Sequence, residues 1–250
     1  MPSLIDSARG LPLVSDLLSR CTFPLPSTAV DCAVSGGADS VALMVLACAA
    51  NLNVTAWHVD HGLRENSHTE AALVAQLATQ LGAQFESRTV TVAQGANTEA
   101  RAREARYATL PTGVMTGHTA DDQAETILIN LLRGSGTRGL AGMQPTAQRP
   151  LLHIRRSETQ ALCNALGIVV FHDPSNNDER FQRNRIRHEI LPLMESLAKR
   201  DLVPVLTRQA DLLRDDDDLL NELAGALDPT DALALASAPI ALARRAIRSW

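Results

Sequence analysis

Ser35-Gly36-Gly37-Ala38-Asp39-Ser40 sets two adjacent glycines among hydroxyls and a carboxylate, directly before the apolar run Val41 to Ala50. Such glycines let the backbone approach a ligand, and the open amides at the start of the following helix favour an anion, phosphate above all. The plainer reading is a strand-to-helix turn with Asp39 or Ser40 as N-cap. A second constellation is His118 with Asp121, Asp122 and Glu125. On a helix these carboxylates, three and four apart, leave adjoining faces of the first turns. Capping and the helix dipole explain one or two acids at a helix start, but not a histidine followed by three. A third group, Arg180, Arg183, Arg185 and Arg187, packs four arginines into eight residues. Arg180, Arg183 and Arg187 share a helical face, and the sparse acids around them favour phosphate contacts over a solvated face. Arg101, Arg103 and Arg106 lie beside Glu99 and Glu104, which by themselves make a solvated, paired face.

These residues need a frame that gathers them. Ala29 to Val34, Val54 to Val59, Gln84 to Val92 and Gly113 to Gly117 read as four strands, alternating with helices at Val41 to Ala50, Asn66 to Leu81 and Thr98 to Leu110. The pattern predicts an α/β fold with a parallel sheet and helices on both faces, Rossmann-like, with right-handed crossovers. Ligands bind such sheets at the carboxyl ends of the strands, where Ser35 to Ser40, Asp60 to Arg64 and His118 to Glu125 fall. Thr119 followed three residues later by Asp122 outlines a capping box, so a helix starts there. A short helix is expected near Leu13 to Leu18, and Gly82 closes the helix ending at Leu81. His58, Asp60 and His61 alternate faces and are read as a pocket-shaping loop in preference to a metal cluster.

The length of 250 residues and 45% hydrophobic content allow one large domain or one and part of another. Residues 1–192 are read as one domain and 193–250 as a helical segment, the start or a short version of a second. Aromatics are only 3%, so no base-stacking surface of the RRM or OB type can be argued, and a net charge of −5 speaks against nucleic-acid binding through overall charge while allowing a local basic patch. Cys21, Cys32, Cys48 and Cys163 form no C-x-x-C pair, so reduced structural thiols are expected. Without a signal-like N-terminus or an apolar run of ~20 residues, the expected compartment is the cytoplasm, with no membrane. The Asp215 to Asp218 run is read as a wet helix face. The chain stops at Trp250 in mid-helix pattern, which admits a fragment or a short form.

The loop lacks the lysine and spacing of a Walker A motif. It resembles instead the SGGxDS loop of the ATP-pyrophosphatase (PP-loop) family, matched at Ser35, Gly36, Gly37, Asp39 and Ser40. With His58-Val59-Asp60-His61-Gly62-Leu63-Arg64, Gly117 to Thr126, Arg133 to Met143, Asp173 to Asp178 and Phe181 to His188, the series from about Val30 to Pro192 resembles the tRNA(Ile)-lysidine synthetases. The resemblance implies ligation of lysine to carbon 2 of the wobble cytidine in a tRNA(Ile) with CAU anticodon, through an adenylated tRNA, with release of AMP and pyrophosphate. It implies ATP held by Ser35, Gly36, Gly37, Ala38, Asp39 and Ser40, and Mg²⁺ on Asp39. It implies lysine recognised by Asp122 and Glu125, with Asp122, Glu125 or His118 as base. Arg106 would lie near the reacting phosphate, and Arg180, Arg183, Arg185 and Arg187 on the tRNA. Partners are then that tRNA and L-lysine, with a homodimer left open. The alternatives are another PP-loop enzyme acting on tRNA, and a non-catalytic ATP-binding module; a thiolating enzyme would want cysteines near the site.

Overall fold

A computed structural model describes residues 3–60, 67–90, 108–171 and 178–250. The expected helix at Thr98 to Leu110 with Arg101, Arg103 and Arg106, the loop at His61 to Arg64, and Asp173 to Asn177 lie wholly or largely outside them. The chain forms two compact units, Met1–Asp122 with Gln144–Asp178, and Gln123–Met143 with Glu179–Trp250.

The first unit opens with two helices, α1 (Leu4–Arg9) and α2 (Pro12–Arg20), where one was expected. Ser3 accepts from Asp6 N to cap α1, and Pro12 starts α2. Then β1 (Ala29–Ala33), α3 (Ala38–Ala49), β2 (Asn53–Asp60), α4 (Ser67–Leu81) and β3 (Gln84–Thr89) alternate as read, in a parallel sheet of order β1-β2-β3. Gly82, at φ +74°, ends α4. Helix α3 is buried on every side from Ser40 to Ala49, the signature of a central helix. Its run of Leu43, Met44 and Leu46 fills the core.

The fourth expected strand contributes a single parallel bridge, between Met115 and Cys32. Met115 N donates to Asp31 O at 2.7 Å and Ala33 N to Met115 O at 2.9 Å, on the side of β1 away from β2. The ladder goes no further because Gly113 sits at φ +86° and Thr116 N donates to Gln148 O at 2.8 Å instead. The order is nevertheless Met115, β1, β2, β3, so the chain changes direction across the sheet at β1. Ligands of open α/β sheets bind at such a point. Two polar residues in the strands are structural. Trp57 Nε1 donates to Asp31 Oδ1 at 2.7 Å, and the buried His58 ring bonds Val34 O through Nδ1 at 2.9 Å. Helix α7 (Arg156–Ala165) completes this unit.

The acid-bearing helix α5 (Ala120–Leu132) begins in the first unit and continues into the second. The second unit holds α6 (Thr137–Leu140), α8 (Gln182–Arg185), α9 (Leu191–Ala198), α10 (Val203–Gly225), α11 (Ala232–Ser237) and α12 (Ile240–Ser249). A π turn over Ile186–Ile190 joins α8 to α9. Pro192, lacking an N–H, removes the hydrogen bond that would have kept the α register there. Helix α10 runs unbroken through Asp215 to Asp218, and Pro239 splits the last expected helix in two. Among the described residues no helix is long and apolar enough to cross a membrane.

Candidate active site

Strand β1 delivers the chain to Gly36, whose φ of +89° only glycine adopts readily. Gly36 O accepts from Phe171 N at 2.8 Å. Gly37 is the N-cap of α3 and no side chain caps the helix, so the plain capping role considered for Asp39 and Ser40 does not occur. Ser40 instead ties the loop to itself: its Oγ accepts from Ser35 N at 3.1 Å and donates to Gly37 O at 2.9 Å. The result is a self-bonded turn with uncapped helix amides at its rim, an arrangement that favours an anion.

Gly117 passes so close to this turn that a Cβ there would lie 2.6 Å from Asp39 O and 3.0 Å from Ser40 N. Both are backbone atoms and cannot swing away. Gly117→Ala is therefore expected to cost about 1–3 kcal/mol of stability and to weaken binding of a phosphate-bearing ligand, if the turn holds one, by displacing the start of α3. Denaturant unfolding and nucleotide titration would check both; unchanged values in the two would contradict this geometry.

His118 lies half-buried, its Nδ1 2.7 Å from Thr116 Oγ1. Thr119 N and Thr119 Oγ1 donate to Asp122 Oδ2 at 2.9 and 3.0 Å, which realises the backbone half of the expected capping box. Asp122 Oδ1 accepts from Arg156 Nη2 at 2.9 Å, and Arg156 Nε is 3.5 Å from Asp39 Oδ2. Thr159 Oγ1 donates to Asp39 Oδ1. Asp121 accepts from Arg155 Nε at 3.1 Å and from Arg156 N at 2.8 Å, fastening the start of α7. The structure thus gathers Asp39, Asp121, Asp122, Arg155, Arg156 and Thr159. Sequence reasoning missed Arg155, Arg156 and Thr159. Their only signal was a pair of arginines at the start of a helical pattern, and 117 residues separate Arg156 from Asp39.

In the second unit Glu125 is 1% exposed and takes a two-pronged grip from Arg187, at 2.7 and 3.0 Å. Arg183 Nε lies 3.3 Å from the same carboxylate, and its Nη2 donates to Thr126 Oγ1 at 2.8 Å. Two of the four arginines assigned to phosphate contacts are thus paired with Glu125 in this structure. Arg185 makes a surface pair with Glu189 at 3.0 Å. One residue of the acid run, Asp217, is buried, contrary to the wet face expected of it, and meets Arg245 at 2.6 Å.

All four cysteines are unpaired. Burial pushes the Cys21 and Cys163 thiols up to about 12 and that of Cys48 to about 11, and raises Cys32 as well. Thiols so held stay protonated near neutral pH and are poor nucleophiles.

Residues 14–194 match the model of a PP-loop domain family. A tRNA(Ile)-lysidine synthase of Rhodococcus erythropolis is 44% identical over 241 residues, which span 90% of this chain and 74% of the relative. Its counterpart in Nocardia farcinica is 43% identical over 91% of this chain and 76% of its own. The Mycobacterium bovis protein of that name is 42% identical over 87% and 73%. Among solved structures, the U34-tRNA thiolase NcsA from Methanococcus maripaludis shares the fold, with a TM-score of 0.59 at 16% identity over 84% of this chain and 79% of that one.

Proposed function

Because the chain belongs to the tRNA(Ile)-lysidine synthase family of PP-loop proteins, we propose that it ligates L-lysine to carbon 2 of the wobble cytidine in a tRNA(Ile) with CAU anticodon. ATP is consumed to AMP and pyrophosphate. The observation that carries this reading is the uncapped start of α3 at the strand-order reversal, beside the carboxylates of Asp39 and Asp122.

The chemistry explains the need for each part. Carbon 2 of cytidine is a poor electrophile, and adenylating its oxygen creates a leaving group. Ser35, Gly36, Gly37, Ala38, Asp39 and Ser40 would hold the triphosphate. Mg²⁺ takes one or two carboxylates together with phosphate oxygens, and Asp39 fits that role. Its carboxyl is pushed up to about 6 chiefly by burial, with Thr159 and Arg156 opposing the rise and Asp122 adding to it; a divalent ion bound there would favour the carboxylate. Bound there, the ion would neutralise phosphate charge. Arg106, outside the described residues, is assigned to the reacting phosphate.

Lysine arrives as an ammonium with a pKa near ~10.4 and must lose a proton to attack. Asp122 and Glu125 are assigned to its recognition, and Asp122, Glu125 or His118 to the proton. Residues 1–192 would act as the catalytic domain and 193–250 as the start or a short version of a helical one, in the cytoplasm, with a homodimer admitted. The buried thiols weigh against a thiolating reaction, and a non-catalytic ATP module would have no use for the base assigned to His118, Asp122 or Glu125.

Arg180, Arg183, Arg185 and Arg187 are assigned to tRNA phosphates. Reversing Arg183 and Arg187 would also strip Glu125 of its partners, so the informative pair is Arg180 and Arg185. The Arg185–Glu189 pair is exposed and yields readily. Arg180→Glu with Arg185→Glu is expected to reduce the salt slope of tRNA binding by about 1 per arginine and to spare ATP binding. An unchanged slope would return both to a solvated face.

The deciding experiment follows labelled lysine into tRNA and pyrophosphate out of ATP. Label that vanishes when the wobble cytidine is replaced is the expected result. Pyrophosphate release without label would point to a different nucleophile, and ATP binding with neither would favour the module.

A further inference from the structure

We propose that Arg156 is an exchangeable counter-ion, which bridges Asp39 and Asp122 in the nucleotide-free protein and turns to the phosphates when ATP binds. The inference rests on the reading of the loop as an ATP site, and it adds a phosphate-binding residue that also uncovers Asp122 for the incoming amine.

The geometry is that of a movable group on a fixed base. Arg156 is the first residue of α7, and its backbone N–H is anchored to Asp121 Oδ2 at 2.8 Å. Its side chain remains 28% exposed. Its contacts with the two loop-side carboxylates are unequal: 2.9 Å from Nη2 to Asp122, and 3.5 Å from Nε to Asp39. Arg155, by contrast, places both Nε and Nη2 on Asp121, at 3.1 and 3.2 Å. Among the described residues Asp39, Asp121 and Asp122 are met by Arg155 and Arg156, and the loop beside them is to receive a triphosphate. A guanidinium within reach of the loop has a better partner in phosphate, which its fork matches in two parallel bonds.

The exchange has a consequence for lysine. Asp122 Oδ2 serves Thr119 N and Thr119 Oγ1, while Oδ1 faces Arg156. Departure of Arg156 would remove a cation from Oδ1 and favour its replacement by the incoming ammonium, so nucleotide and lysine would bind with positive coupling.

The test is calorimetric titration with Mg²⁺·ATP, without lysine or tRNA, of wild type, Arg156→Met, Arg156→Lys, Asp122→Asn and the Arg156→Met/Asp122→Asn double variant, each checked for folding by circular dichroism. The Met variant is expected to bind ATP about 10- to 100-fold more weakly, with adenosine affinity unmoved and the double variant still weak. Lysine, which keeps the charge but loses the fork, should restore only part. Wild-type affinity in the double variant would mean that Arg156 merely balances Asp122, and would overturn the proposal; so would equal weakening toward adenosine. Should the Met variant fail to fold, the Lys variant decides, since ATP affinity equal to wild type rules out a forked phosphate contact. Label transfer by the wild type is measured alongside. Its absence would count against lysidine formation, and the ATP titrations would still decide the role of Arg156.

Discussion

Asp39→Asn is expected to lower pyrophosphate release by about 10²-fold or more while leaving the fold intact. The amide keeps an acceptor for Thr159 and nearly the same volume, but loses the charge that meets Arg156 and that would hold Mg²⁺ in the proposed site. The acidity of Asp39 gives this substitution a second readout. Burial pushes the carboxyl up to about 6; the Thr159 hydrogen bond opposes the rise, Asp122 adds to it and Arg156 lowers it. The folded value lies above the ordinary 3.8, so folding favours the protonated form relative to the unfolded chain. The stability from this group is therefore full below about pH 3.8 and is lost as pH rises through about 6. Magnesium binding at the proposed site would run the other way, because the ion would require the carboxylate. Affinity for Mg²⁺·ATP should fall by about tenfold for each pH unit below 6 in the wild type, and the Asn variant should lack that dependence. Titrations across this window, paired with a pyrophosphate assay, check both. Turnover by Asp39→Asn within a few-fold of wild type would remove Asp39 from the metal.

What the sequence made legible was local. The apolar run before Ser35 and the one after it could only be a buried strand and a buried helix, and Gly36 at φ +89° is what two adjacent glycines predicted. Gly82 and the Thr119–Asp122 pair worked for the same reason: the signal and the structure lie within four residues of each other. The fourth strand failed because its length depends on where Thr116 bonds, and its partner, Gln148, is 32 residues away. Arg156 was invisible on the same ground. Nothing near it in sequence shows that a guanidinium at the start of α7 lies against Asp39 and Asp122. Asp217 sat in a run of four acids that looked uniformly wet, and only the fold separates it from its neighbours by bringing Arg245 to it. The lone Asp31 in an apolar strand could likewise be explained only by the indole of Trp57 on the next strand.

Arg245→Met is expected to destabilise the second unit by about 3–5 kcal/mol, because it leaves a carboxylate buried without its cation. The Asp217 and Arg245 side chains are only 7% and 10% exposed, so this pair is not a surface ornament. Arg245 Nη1 donates to Asp217 Oδ1 at 2.6 Å and to Asn221 Oδ1 at 2.7 Å, and Nη2 donates to Thr137 Oγ1 at 3.0 Å. Thr137 in turn donates to Asp217 at 2.9 Å, so the pair holds the start of α6. The segment that follows is fastened to α5 and α10. Gln123 grips Met143 through both backbone atoms, at 2.7 and 3.0 Å, and Arg214 donates to Ala141 O at 2.8 Å. Losing Arg245 therefore loosens the strap packed on the helix that carries Glu125, and urea unfolding should register it as a shifted midpoint. Replacing both partners, as Arg245→Met with Asp217→Leu, should recover most of the loss, since an apolar pair of similar size has no charge to desolvate. Acid sharpens the comparison. Burial alone would raise Asp217, but hydrogen bonds from Arg245, Thr137 and Asn221 outweigh it and hold the carboxyl below its ordinary value. Its stabilisation is thus present above about pH 3.8 and lost as pH falls through the lowered value. Without Arg245 the lowering shrinks, and the acid transition should begin at higher pH; an unshifted transition and an unshifted urea midpoint together would show that the pair carries no net stability.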